Sequence, residues 1–386
     1  MTTQAVRAAS ARRAGISLAV AGSASVATAF GMARYGYGLL LPDIKHSLVL
    51  GETELGAIGT LAYLTYIVAA AMVDPCVRRR GPRATVIIGG LLGVGGTIVI
   101  AVSRDSLALA AGVGIAGASA GLVYPPFAEA LRELPEQIRD RALASVNCGT
   151  GWGVAVAAPI AIIAASSWRV AYFGFAACTL ASTIYAARVL PARGCATSGS
   201  ERSRLALREL RPVAWRITAG ALLIGLGSGA YWTFAVQHAR AAGLDVTSGR
   251  VLLGLAGIGS ILGIGAADTI GRIGAKRTFM LCACIEASAT ALLATRASSL
   301  PAVMISAFAF GVSYNVAVAA TVLSMTRLHA DRPASAVALV AGANATGLLF
   351  SPLAGGVISA QIGLTATLLC GAAVLLAASI GAPPSP

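Results

Sequence analysis

Charge is what this sequence has least of. Asp, Glu, Lys and Arg make up 11% of its 386 residues, against about 25% in soluble domains. With 57% hydrophobic residues and a mean hydropathy of +0.79, the chain has too few polar side chains to face water all round. It reads as a polytopic membrane protein. Acids are scarcer than bases, 15 against 29, for a net charge of +14. In a soluble chain that excess would suggest nucleic acid. Here the basic residues cluster in loops on one side of a membrane, and no nucleic-acid partner is expected. Histidine is nearly absent: His46, His238 and His329 lie far apart, near the ends of apolar runs. The cysteines at 76, 148, 178, 195, 282, 284 and 370 make no C-x-x-C, and most sit in apolar runs as small buried residues. There is no Walker lysine motif and no H-E-x-x-H. The glycine runs Gly89-Gly90 and Gly93 to Gly96 fall inside an apolar span, where helix packing explains them. No enzyme, metal or cofactor is expected.

Long apolar runs are what the sequence has in abundance. Twelve approach the about 20 residues a crossing needs: 15–41, 53–73, 83–103, 106–128, 140–165, 169–190, 214–237, 248–270, 277–295, 300–326, 334–360 and 362–381. The least distinct break is Gln361-Ile-Gly363, between the last two. Arg7, Arg12 and Arg13 before an apolar stretch imitate a signal peptide, but the run continues to Leu41 and reads as the first transmembrane helix. An arginine-rich segment, 191–213, divides the spans into 1–190 and 214–386, six and six, and reads as a cytoplasmic linker. With the amino terminus inside, 22 of the 29 Lys and Arg fall on the inner side and six outside; Arg34 lies within a span. That split places both termini in the cytoplasm.

The halves repeat. Gly81-Pro-Arg83 recurs as Gly274-Ala-Lys276-Arg277, and Gly149 with Pro159 recurs as Gly342 with Pro352, both at an offset of 193 residues. A shared offset suggests duplication of a six-helix unit.

Two six-helix halves, a cytoplasmic central loop and basic loops after helices 2 and 8 resemble the major facilitator superfamily over nearly the whole chain. The opening Gly-x-x-Arg-Tyr-x-Tyr-Gly with Leu-Leu-Pro is similar to a bacterial branch of it. The resemblance implies an all-α fold of twelve transmembrane helices in two pseudo-symmetric bundles. It also implies a bacterial cytoplasmic membrane, a monomer, and a substrate site between the halves. The family's loop motif is partly kept in Gly81, Arg83, Asp268, Gly271, Arg272 and Gly274. Where the family has an aspartate three residues before the glycine, this chain has Arg78 and Gly271; Asp268 offers the second loop another register. A glycine-rich fifth helix with a late proline, found in many antiporters, is degenerate here: Asn147 to Gly153, then Pro159. Close packing of small residues explains it as well.

By the same resemblance helices 1, 4, 7 and 10 line the cavity, with 2, 5, 8 and 11 beside them. Arg34 is the leading candidate. It lies about 12 Å inside the helix end at Pro42, a depth where a cation costs about 2.5 kcal/mol or more. It should therefore face protein or water, as a two-pronged anchor for a carboxylate. A structural partner or snorkelling to the headgroups is the competing reading. Tyr37 and Gly38 follow about one turn on. Tyr63, Tyr66, Tyr124, Tyr231, Tyr314 and Asn315 are expected to enclose the substrate; an aromatic belt and helix-to-helix bonds are the bland alternatives. Asn147, Asn344, Trp152 and Trp232 carry weaker signals of the same kind. Glu286 is an isolated acid inside the ninth span. No carboxylate lies deep on helices 1, 4, 7 or 10.

The expected activity is secondary transport of a small organic, anionic solute by alternating access, with a coupling proton or counter-solute left open. A hydrophobic-compound efflux pump and a non-transporting membrane sensor are the alternatives.

Overall fold

The computed structural model describes residues 3–164, 167–192 and 212–383. Among them every regular element is helical. In hydrocarbon each backbone donor and acceptor must be satisfied within the protein, so an unclosed chain crosses as helix. Eleven helices are long and apolar enough to cross, and one, Ala57–Val102, has 46 residues, about twice what a crossing needs. It breaks at Gly81, whose φ of 82° and ψ of 167° interrupt the helix. Glycine takes that conformation without strain, and Pro82 then restarts the helix at its first turn. The count is therefore twelve crossings.

Helix α1 runs through Thr3–Val26, a π-helical insert at Ala27–Met32, and Tyr35–Leu48. Helices α2 and α3 are the arms 52–80 and 82–102 of Glu52–Val102. Helix α4 joins Ser106–Val123 to Pro125–Ala130, α5 joins Glu136–Asn147 to Gly149–Ile163, and α6 is Trp168–Val189. The second half has α7 (Pro212–Ala241) and α8, which joins Val246–Ile261 to Ala266–Ile273 through a 3-10 turn. Then come α9 (Ala275–Arg296), α10 (Leu300–Leu328), α11 (Pro333–Ile362) and α12 (Leu364–Ala378). Of the expected linker, 193–211 lies outside the described residues.

The repeat seen in the sequence is a repeat of geometry. Gly274 turns the chain between α8 and α9 with φ 83° and ψ 154°, close to the angles of its counterpart Gly81. Gly363, at φ 97°, does the same between α11 and α12, at the least distinct break of the apolar pattern.

Lipid offers no hydrophobic drive between helices, so they associate through close contact of small residues. Two seams join the halves, α5 with α8 and α2 with α11. In the first, a Cβ on Gly151 would lie 2.7 Å from the Gly257 carbonyl oxygen. In the second, Ala334 packs among Val73, Val77 and Leu122. Between the seams the halves separate around a cavity.

Candidate functional site

The cavity holds about 550 Å³ of atom-free space, its open mouth included. The first half contributes Val26, Phe30, Arg34 and Tyr35 from α1, Tyr66 from α2, Tyr124 from α4, and Asn147 and Thr150 from α5. The second half contributes Tyr314, Asn315 and Val318 from α10, and Ala341, Asn344, Ala345 and Leu348 from α11. Arg34 is the one charged residue of this lining.

Arg34 follows directly on the π-helical insert and the turn that closes it. Such inserts recur at functional sites. Four rings surround the guanidinium: its carbon is 3.9 Å from the centroid of Tyr63, 5.1 Å from Tyr66, 5.7 Å from Phe30 and 5.8 Å from Tyr35. A desolvated cation gains about 2 kcal/mol or more from a ring face. Rings do not satisfy its in-plane donors, however. Nε and Nη2 are buried and have no hydrogen-bond acceptor among the described residues. Leaving a buried donor unmet costs about 1–3 kcal/mol, more when it is charged.

The lining also carries a set of amides. Asn147 on α5 donates to both the side-chain and the backbone oxygen of Asn315 on α10, the latter at 3.1 Å, so this bond crosses between the halves. The Tyr314 hydroxyl donates to Asn344 Oδ1 at 3.2 Å, and Asn344 Nδ2 donates to the Ala221 carbonyl at 3.3 Å. Tyr35 of the first half meets Trp232 of the second with centroids 5.1 Å apart, and Trp232 packs edge-on against Tyr314. The Tyr124 hydroxyl is buried without a hydrogen-bond partner among the described residues.

Of the residues singled out in the sequence, the structure gathers Arg34, Tyr63, Tyr66, Tyr124, Tyr314 and Asn315 around this cavity. Two lie elsewhere. Three residues along a helix leave Tyr37 about 60° away from Arg34 around the axis, and its hydroxyl donates to the Leu55 carbonyl at 3.1 Å. Tyr231 is inside the second half, stacked on Phe310 at 3.8 Å and hydrogen-bonded to Ser306 at 2.9 Å. One residue further, about 100° round the helix, Trp232 meets Tyr35 instead. Trp152, which reads as buried or ligand-stacking in the sequence, is 47% exposed. Glu286 is fully buried in the second half, outside the cavity lining. Sequence reasoning passed over Phe30, although it precedes Arg34 by four residues on α1.

The loop-motif residues lie at the end of the bundle where α5 begins and α10 ends. Asp268 accepts from Arg141 Nε and Nη2 at 2.9 and 2.8 Å, joining α8 to α5. Gly81 and Gly274 form the turns described above. Arg83, Gly271 and Arg272 are exposed. Three further polar contacts work at this end. Asp140 on α5 accepts from Arg327 on α10, and Arg327 also pairs with Glu136 at 3.3 Å. Asp74 on α2, paired with Arg78 at 3.3 Å, accepts from Ser335 on α11 at 2.8 Å. The acid sought three residues before Gly81 thus sits four residues, about one turn, earlier on α2. The charged triplet Arg139-Asp140-Arg141 was the available signal for the α5 latch.

A family model described as Major Facilitator Superfamily matches residues 23–273. Two solved structures are similar in fold. The MFS proton:xylose symporter XylE bound to 6-bromo-6-deoxy-D-glucose is 13% identical, with a TM-score of 0.75 over 95% of this chain and 94% of that one. The human organic anion transporter MFSD10 (TETRAN) is 15% identical, with a TM-score of 0.73 over 96% of this chain and 99% of that one.

Proposed function

The chain belongs to the major facilitator superfamily, and on that premise we propose that it moves a small organic anion across a membrane by alternating access, with Arg34 as the anion's anchor. One observation carries this reading: the Nε and Nη2 donors of Arg34 have no acceptor among the described residues. That edge is the two-pronged fork that matches a carboxylate. In this same molecule Arg141 and Arg327 each present the Nε and Nη2 edge to an aspartate. Arg34 presents it beside a cavity whose lining has no acid. The acceptor that completes it is then a solute.

In this scheme the excess of Lys and Arg places both termini and the Arg141–Asp268, Arg327–Asp140 and Asp74–Ser335 contacts on the cytoplasmic side. These contacts hold the halves together there. Tyr35 and Trp232 close over the cavity from the other side. An anion on Arg34 offsets the cost of its unmet donors. Rocking of the halves then exchanges the cytoplasmic latches for an opening toward the cytoplasm. The likeness to MFSD10, itself an organic anion transporter, is one of fold and is compatible with this substrate class.

The test is flux into liposomes containing purified protein, with labelled acetate, lactate, benzoate and citrate, and xylose as a neutral control. At least one acid should cross faster than in protein-free liposomes, and Arg34→Gln should abolish that excess. An acid flux that survives in Arg34→Gln would remove Arg34 from the mechanism.

A further inference from the structure

Resting on the anion reading above, the geometry points to a narrower substrate: a flat, unsaturated monocarboxylate bearing a hydrogen-bonding group away from the carboxylate. We infer this from the different chemistry of the cavity's walls.

The first wall sets the charge. Arg34 is the one charged residue of the lining, so a single carboxylate is balanced. A second carboxylate would be held among rings and amides with no cation to meet it. Removing that charge from water is costly even after relaxation. Dicarboxylates, citrate and phosphate esters are therefore excluded, although each would satisfy the fork.

The second wall sets the shape. The cavity lining carries the rings of Phe30, Tyr35, Tyr66 and Tyr124, the first three of them within 6 Å of the Arg34 guanidinium carbon. Phe30 and Tyr66 already meet edge to face, 5.6 Å apart at an interplanar angle of 73°. Ring edges and faces in this arrangement accept another ring by offset or T-shaped contact, an increment beyond area burial. A saturated body gains the area and not that increment.

The third wall reads the far end. The Asn147–Asn315 pair uses one amide's donors on the other's acceptors. Each primary amide carries two donors and an acceptor with two lone pairs. Capacity is left for a hydroxyl or carbonyl group on the solute. Since this pair spans the halves, a solute bonded to both amides touches both moving bodies.

Thermal unfolding of the purified protein gives a readout independent of transport. The probes are benzoate, 4-hydroxybenzoate, cyclohexanecarboxylate, acetate, terephthalate and benzamide, titrated against wild type, Arg34→Gln and Arg34→Lys. Benzoate should stabilise with an apparent affinity at least tenfold above those of benzamide and terephthalate, and several-fold above that of cyclohexanecarboxylate. The 4-hydroxy compound should bind more tightly than benzoate. Arg34→Gln should remove the benzoate shift; should that variant fail to fold, Arg34→Lys is expected to weaken it tenfold. Equal shifts from benzoate and cyclohexanecarboxylate overturn the flat-body inference and leave the anion reading standing. Equal shifts from benzoate and terephthalate overturn the monoanion inference. Equal shifts from benzoate and benzamide, or no shift from any acid, overturn this inference and the anion reading together.

Discussion

Asp140 and Arg327 come from opposite halves and meet through both prongs of the guanidinium, at 2.9 Å from Nε and 2.5 Å from Nη2. The acid is 3% exposed, while the arginine side chain keeps 40% of its surface open. Removing the acid thus leaves Arg327 paired with Glu136 at 3.3 Å and within reach of water, not trapped in an apolar core.

Asp140→Asn should therefore loosen the closed end without unfolding the protein. The bond is partly screened, and we expect a cost of about 1–2 kcal/mol, a factor of roughly 5–30 between closed and open forms. A cysteine at Ala345, in the cavity, should react several-fold faster with a membrane-impermeant maleimide applied from the side of the termini. An unchanged labelling rate would deny this pair a latching role.

Arg34→Lys separates charge from geometry. Lysine keeps the positive charge and loses the planar fork. Charge-assisted hydrogen bonds are worth about 1.5–3 kcal/mol each, so benzoate affinity should fall at least tenfold while folding is retained. Equal affinity in the two proteins would mean that a point charge suffices and the Nε and Nη2 edge is not used.

How much of this was legible in the sequence depends on which physical signal each feature leaves. Apolar length and the basic loops mark the twelve crossings, because the bilayer imposes both. Arg34 stands out because a charge in hydrocarbon is costly. Helical phase is harder to read. The π-helical insert before Arg34 leaves no mark in an apolar run, and the faces of Tyr37 and Tyr231 were mistaken for the cavity face. The latch acids escaped notice for another reason. Asp140 and Arg327 are 187 residues apart, and only the fold brings them together. At a helix end each reads as an ordinary solvated charge.

The contact of α1 with α5 is a sharper test of packing. A Cβ on Gly31 would come within 2.7 Å of the Val154 backbone nitrogen, and backbone cannot yield as a side-chain tip can. Gly31→Ala should push the π-helical insert off α5 and lower stability by about 1–3 kcal/mol. Gly38, seven residues later, has nothing within 4 Å of the same added atom. Gly38→Ala should be neutral or stabilise by up to about 1 kcal/mol, since alanine favours helix. Thermal unfolding of the two variants should move in opposite directions or differ clearly in size. Equal shifts would mean that the two helices do not approach as closely as the structure has them.

Glu286 poses a different problem, because neither the fold nor the cavity uses it. It is fully buried on α9, and neither carboxyl oxygen has a hydrogen-bond partner among the described residues. Its backbone carbonyl accepts from Thr290 Oγ1 at 2.8 Å, which holds the helix and not the acid. An unpaired charge there would cost several kcal/mol, with no cation in contact to offset it. Glutamine fills the same volume without that liability. Glu286→Gln should therefore unfold within about 1 kcal/mol of wild type and keep both benzoate binding and flux. Glu286→Ala, by contrast, should lose stability through the void it leaves. If the glutamine variant folds and binds but no longer transports, the carboxyl does more than fill space. It would then have to pass a proton to the cavity through α10, where Tyr314 donates to Asn344. Intact transport would leave Arg34, the one charged residue of the cavity lining, as the group on which the cavity's charge chemistry is to be tested.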